Sequence, residues 1–227
     1  MISDSFKYMF RDENWKTKLA IGGLVSIIPI FNFLLYGYMI DIMKLIYNGV
    51  DDKLPEFKII AQLIEGIYGL IIVFVYISIP TIILVGYLLI MGASISLVSN
   101  TEGLSTIIAL ISVVIMILFI IVFVIFALAT PIVLSHYAYT NKLSSIFEFK
   151  TIFKILKKTW LDILIFNIVL YIAIMILEVV ISVIAFLCTM TIILIPVAIW
   201  IAGMFLYYIY TVMGYFYGRI YLKGITE

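Results

Sequence analysis

The sequence predicts an all-α fold: a polytopic transmembrane helix bundle with four full crossings, a broken, re-entrant N-terminal hairpin and basic amphipathic surface helices. Three observations carry this. The 227 residues are 66% hydrophobic and 12% charged, about half the charge of a soluble domain. The apolar residues fall in runs long enough to span a bilayer core of ~30 Å, which takes about 20 residues per helix. Lys and Arg cluster between those runs rather than within them. A soluble globular protein is excluded. One integral membrane domain, 1–227, is the natural count.

The clearest stretch is Leu161 to Gly218, whose 58 residues hold only two charges, Asp162 and Glu178. It is long enough to cross, turn near Cys188–Thr191 and cross back. Before it, residues 1–18 mix Lys7, Arg11, Lys16 and Lys18 with Asp4, Asp12 and Glu13, while Ile2, Phe6, Met9 and Phe10 recur at helical spacing. That pattern predicts a short helix lying on the membrane surface, with Trp15 at the interface. No cleavable signal peptide is visible ahead of the first apolar run.

Leu19 to Tyr47 is apolar but awkward, at 29 residues long for one crossing and short for two. Pro29 removes a backbone donor and clashes with the preceding turn, so a break is expected there. Residues 48–65 are polar and predict a loop leading into a surface helix. Gly66 to about Ala93 is the next crossing, with Pro80 near its middle, where a kink is expected. Ser94 to Thr106 forms a loop without Lys or Arg. Ile107 to about Ser135 is the third long run, with Pro131 near its end. From His136 to Trp160 the chain is basic. Phe149, Ile152, Phe153, Leu156 and Trp160 form one helical stripe, and Lys150, Lys154, Lys157 and Lys158 the other face. This predicts a basic amphipathic helix at the interface. The tyrosines from Tyr207 to Tyr221, with Arg219 and Lys223, close the last crossing as an aromatic belt.

Positive charge accumulates in cytoplasmic loops. Of the 14 Lys and Arg residues, four precede Leu19, three lie from Lys44 to Lys58, five at 137–160 and two after Gly218; none lies at 94–106 or 188–191. If Leu19–Tyr47 returns to its starting side, all fall on one side. If it crosses once, making five crossings, they fall on both. The first arrangement predicts a hairpin broken near Pro29–Asn32, a multi-pass protein of the cell membrane and both termini in the cytoplasm. A two-part internal repeat, 1–93 and 144–227, is suggested by Phe6-Lys7-x-x-Phe10 with Trp15 against Phe149-Lys150-x-x-Phe153 with Trp160.

Several motifs occur together. They are Ser5-Phe6-Lys7-Tyr8-Met9-Phe10-Arg11-Asp12-x-x-Trp15, Ile21-Gly22-Gly23-Leu24 with Pro29-Ile30-x-Asn32, Gly37-Tyr38, and Leu54-Pro55-Glu56. As a set, densest over residues 5–70, they resemble an uncharacterised archaeal and bacterial family, domain of unknown function 4013. The resemblance implies a polytopic membrane protein and supplies no activity, substrate or catalytic residue.

Few residues are out of place. Glu178 lies 17 residues after Leu161, ~25 Å along a helix, inside the membrane. Such a carboxylate normally faces a bundle interior or water, so it is the leading candidate for a proton or cation site. Asn32 and Asn167 are polar groups in apolar surroundings, and Asn32 beside Pro29 can cap a broken half-helix. Gly214-x-x-x-Gly218 permits close helix approach, read first as packing within the chain. His136 is the only histidine and Cys188 the only cysteine; neither makes a metal site alone. No phosphate-binding loop, nucleophile elbow, zinc-protease or dinucleotide motif is present. No enzyme activity, cofactor or metal is therefore expected, and a net charge of +1 gives no attraction to nucleic acid. Two expectations remain. One is a small permease or channel-like protein for an ion or small solute, built around Glu178 and the Pro29–Asn32 break. The other is a non-transporting scaffold that binds partners or anionic lipid headgroups through its basic helices. Oligomeric state is left open.

Overall fold

The computed structural model describes residues 1–28, 32–98, 102–189 and 194–226. Among these the chain has no strand. Its elements are α1 (Ile2–Lys7), a 3-10 turn (Tyr8–Arg11), α2 (Trp15–Ile27), α3 (Asn32–Tyr47), α4 (Ile59–Val98), α5 (Glu102–Thr140), a second 3-10 turn (Leu143–Phe147), α6 (Phe149–Thr189) and α7 (Ile195–Thr226). The last four helices are each long and apolar enough to cross a membrane. This is a multi-pass membrane protein, with lipid against its apolar helices.

The helices run further than the apolar spans require. α4, α5 and α6 hold 40, 39 and 41 residues, so each is ~60 Å long. This corrects two boundaries. The polar residues before Gly66 do not form a separate surface helix; they are the first turns of α4. The basic segment after Glu148 is the start of α6, continuous with its apolar part. Nothing between Trp160 and Ile163 breaks the helix, and Asp162 pairs from its surface with Lys223 of α7 (2.7 Å). The helix expected over residues 1–18 is itself divided, because the Tyr8–Arg11 turn folds back to bury Tyr8 and Met9 completely. Pro80 and Pro131 lie inside α4 and α5, both of which continue through them.

Leu19–Tyr47 forms two short helices. α2 ends at Ile27, and Ile28 is extended. Pro29 lies outside the described residues; of the turn expected near Cys188–Thr191, Cys188 and Thr189 still belong to α6 and the rest lies outside the described residues. The directions are settled by contacts. The Tyr208 hydroxyl donates to the Phe6 carbonyl (2.8 Å), Gly22 meets the Tyr207 ring and Gly23 meets Gly203, so the chain from α1 through α2 runs antiparallel to α7. Tyr36 meets Tyr210, Gly214 meets Met39 and Gly218 meets Met43, so α3 runs parallel to α7. The chain goes in along α2 and comes back along α3. Beyond Lys18 and before Asp41, the apolar legs are nine residues each, or ~14 Å, about half of a hydrocarbon core.

Glycine holds this hairpin in place. A Cβ added to Gly37 would overlap the main-chain carbonyl of Gln62 on α4, and one on Gly66 the carbonyl of Phe33 on α3. A Cβ on Gly203 of α7 would likewise overlap the carbonyl of Gly23 on α2, slightly less closely. Lipid supplies no hydrophobic drive between helices, so close backbone packing between small residues is what joins them. Apart from Asn32, Asp41 and Lys44, α3 is apolar on every face and enclosed accordingly: Leu34, Leu35, Tyr38, Met39, Ile40, Ile42 and Met43 have no exposed surface. Around it, Phe166 of α6 stacks face to face on Phe216 of α7 at 3.7 Å.

Forcing a branched side chain into the α3–α4 contact must separate the backbones. Gly37→Leu or Gly66→Leu is expected to cost about 3 kcal/mol, read as a lowered unfolding temperature in detergent. Gly86→Leu, where a Cβ meets nothing within 4 Å, should stay within about 0.5 kcal/mol of the parent.

Candidate functional site

The charged segments meet at one end of the bundle. Asp12 is its best-enclosed anion. One carboxylate oxygen accepts from the Asn14 N–H (2.7 Å); the other accepts from the Leu54 N–H (2.8 Å) and the Lys18 ammonium (3.0 Å). Lys18 is buried and also donates to the Leu54 carbonyl (2.8 Å) and Glu56 (3.0 Å). Burial pushes the Asp12 carboxyl up, but the Leu54 N–H, Lys18 and the Asn14 N–H outweigh it and hold it below its ordinary value of 3.8. This clasp ties the loop after α3 to the start of α2. Two tyrosine hydroxyls secure the same loop, Tyr8 donating to the Lys53 carbonyl (2.6 Å) and Tyr38 to the Pro55 carbonyl (3.1 Å).

Both arginines of the chain converge beside it. Arg11 and Arg219 each lie 5.5 Å from the centre of the Tyr215 ring, and both pair with Asp51. Arg suits this place because its planar guanidinium stacks on an aromatic face and forks onto a carboxylate together. On the far side of α7, His136 stands between the Tyr221 hydroxyl (2.6 Å) and the Glu148 carboxylate (3.0 Å), joining α5, α6 and α7. Lys44 pairs with Glu65 at 2.7 Å, and the Tyr137 hydroxyl donates to the same carboxylate at 2.8 Å. Sequence reasoning missed these junctions. The usable signals were the two arginines among twelve lysines and the lone histidine after Pro131.

The residues singled out from sequence fall in separate places. Glu178 is exposed at the edge of α6, between the groove it lines with Phe205 and Tyr210 of α7 and the open face of Met175, Val179, Ser182, Val183 and Phe186. Its carboxylate has no hydrogen-bond or ion-pair partner among the described residues, and Ser182 donates only to its main-chain carbonyl (2.7 Å). The reason is helical phase. The buried seam of α6 runs through Ile155, Thr159, Ile163, Phe166 and Leu170. Glu178, eight residues beyond Leu170, is rotated about 80° off it. Asn167 faces inward and accepts from the Tyr217 hydroxyl (3.0 Å), a bridge from α6 to α7. It lies eleven residues from Glu178, ~16 Å along the axis, so the two do not form one site. Asn32 opens α3; its side chain is outside the described residues. Gly214 and Gly218 pack on α3 within the chain, a Cβ at Gly214 coming 2.9 Å from the Met39 carbonyl.

Lys150, Lys154, Lys157 and Lys158 are all exposed. Lys158 reaches the Gly224 carbonyl at 3.4 Å; the other three have no partner among the described residues. The apolar stripe opposite them is divided. Ile152 and Leu156 are buried in the bundle, whereas Phe149, Phe153 and Trp160 are exposed. At 100° per residue those three aromatics share one strip between the buried seam and the lysines. No group of three or more metal-ligating side chains occurs among the described residues.

Fold and site together define a multi-pass integral membrane protein with an ion-paired polar end and an apolar, lipid-facing body. The chain belongs to the family of proteins of unknown function DUF4013, whose model matches residues 21–186. No curated protein and no solved structure matches it.

Asp12→Ala leaves Lys18 only the Leu54 carbonyl and the exposed Glu56, so it should cost about 3 kcal/mol, the low end for breaking a buried pair. Proteolysis within 51–58 should quicken in parallel. Because the folded carboxyl titrates below its ordinary value, its contribution is complete above about pH 4 and is lost as pH falls through the folded value. Unfolding temperatures of the parent should therefore fall in that acid range more steeply than those of Asp12→Asn.

Proposed function

We propose that this is a non-catalytic protein of the cell membrane, with both termini in the cytoplasm, that docks anionic lipid headgroups along the first turns of α6. One observation carries the reading. Lys150, Lys154 and Lys157 are exposed without acidic partners, immediately beside the exposed strip of Phe149, Phe153 and Trp160. Aromatic rings favour the headgroup level, and each lysine held there attracts an anionic surface by on the order of 1 kcal/mol. The continuity of α6 supports it too, because a helix anchored in the membrane beyond Asp162 holds the lysine face at a fixed height.

A second reading, a permease for an ion or small solute, rests on Glu178 within the apolar part of α6. It is weaker for a single copy, whose middle is filled by Tyr38, Tyr207, Phe166 and Phe216, all without exposed surface.

Trp160 reports on the lipid beside it. In nanodiscs, with Trp15 and Trp200 replaced by Phe, a brominated phosphatidylglycerol should quench Trp160 more than brominated phosphatidylcholine at equal mole fraction. Changing Lys150, Lys154, Lys157 and Lys158 together to Gln should abolish that difference. Equal quenching by both lipids in the parent would refute the headgroup reading. Flux into proteoliposomes that Glu178→Gln abolishes, with the lysine variant still active, would establish the permease instead.

A further inference from the structure

The distal half of α6 is packed on one side only. Ile174, Leu177 and Ile181 face Ala202, Phe205 and Ile209 of α7, and Glu178 stands at the edge of the same groove. The opposite face is open: Val179 is 65% and Phe186 64% exposed. Ile168, Tyr171, Met175, Glu178, Ser182 and Phe186 follow each other at three- and four-residue steps, the spacing of a helix–helix seam. The seam spans about 27 Å along the axis, close to the thickness of a hydrocarbon core. Its one carboxyl group is that of Glu178, which has no partner among the described residues and sits 16 residues, ~24 Å, past the Asp162–Lys223 pair that ends the charged region.

We infer that this face of α6 is a homodimer interface, in which the Glu178 carboxyl of one copy hydrogen-bonds that of a second copy. The chemistry selects the occupant. Two carboxyl groups joined by a shared proton are donor and acceptor to each other, so the residue complements its own copy. Across a two-fold axis a residue near the axis meets its own copy. Isolated in hydrocarbon the group is costly, and the pair gives both copies the partner that each lacks. Ser182, one turn on, is small and already bonded to its own helix, so the second backbone can come close. The lysine faces are not forced together. Helices crossing at 20–40° at Glu178 stand ~10–20 Å further apart at Lys157, ~30 Å up the axis. The inference is independent of the lipid reading, since the four-lysine variant should still dimerise.

Disulfide trapping in native membranes tests it. In a Cys188→Ala background, Ser182→Cys should give an oxidised dimer, while Ile82→Cys, 69% exposed on α4, should give at least tenfold less. Adding Glu178→Leu or Glu178→Ala should cut the Ser182 crosslink about tenfold. Glu178→Gln should preserve it, because an amide is also donor and acceptor. Both replacements lie on an open face, so unfolding temperatures should match the parent. Equal crosslinking at Ser182 and Ile82, or a crosslink unchanged by both Glu178→Leu and Glu178→Ala, would overturn the inference. So would a Ser182 adduct made to a different protein.

Discussion

A helix pair that enters hydrocarbon without crossing it must be sheltered by protein, since lipid offers nothing to the polar backbone at its turn. This requirement organises the molecule. α2 and α3 are too short to span, and each is pressed against a spanning helix at a glycine: Gly23 against Gly203 of α7, Gly37 against Gln62 and Gly66 of α4. α3 is consequently the centre of the bundle despite being one of its shorter helices. α4, α5 and α7 pack directly on α3, and the stacked Phe166–Phe216 pair holds α6 against α7.

The second organising feature is the polar end. Asp12, Asp51, Glu65 and Glu148 each join segments distant in sequence, through Leu54 and Lys18, Arg219, Lys44 and His136 respectively. Asp12–Lys18 is buried and so costly to break one partner at a time; the others are more exposed and act chiefly by fixing which segments meet. Away from this end the helices pack lightly. No residue in the apolar window of α5 is buried. A soluble protein could not leave so much aliphatic surface open; in a bilayer it is simply the lipid face.

Much of this architecture is readable from composition and spacing. Apolar runs of more than 20 residues announce the four long helices, and the charge count together with Pro29 announces a hairpin that turns back. What the sequence conceals follows from the same physics. The distal half of α6 is apolar on every face, so no periodicity says which way Glu178 points. The basic stripe of Phe149–Trp160 is visible as a helix, but its continuity with the crossing is not, because Asp162 resembles a boundary. The Asp12–Leu54 bond spans 42 residues of chain and has no local signature. Asn167 is recognisable as an unusual polar residue, yet its partner Tyr217 is one tyrosine among many.

The central claim is that the α2–α3 pair returns to the side it entered from. Labelling of single cysteines by a membrane-impermeant thiol reagent in intact cells tests it most directly, using the Cys188→Ala protein with cysteine at Ser3, Asp52, Asn100, Ser144 or Thr226. The account predicts that Asn100→Cys alone reacts from outside, the other four reacting only after permeabilisation. Labelling of Asp52→Cys and Ser144→Cys in intact cells, with Ser3→Cys protected, would mean that residues 19–47 cross once, and would contradict it.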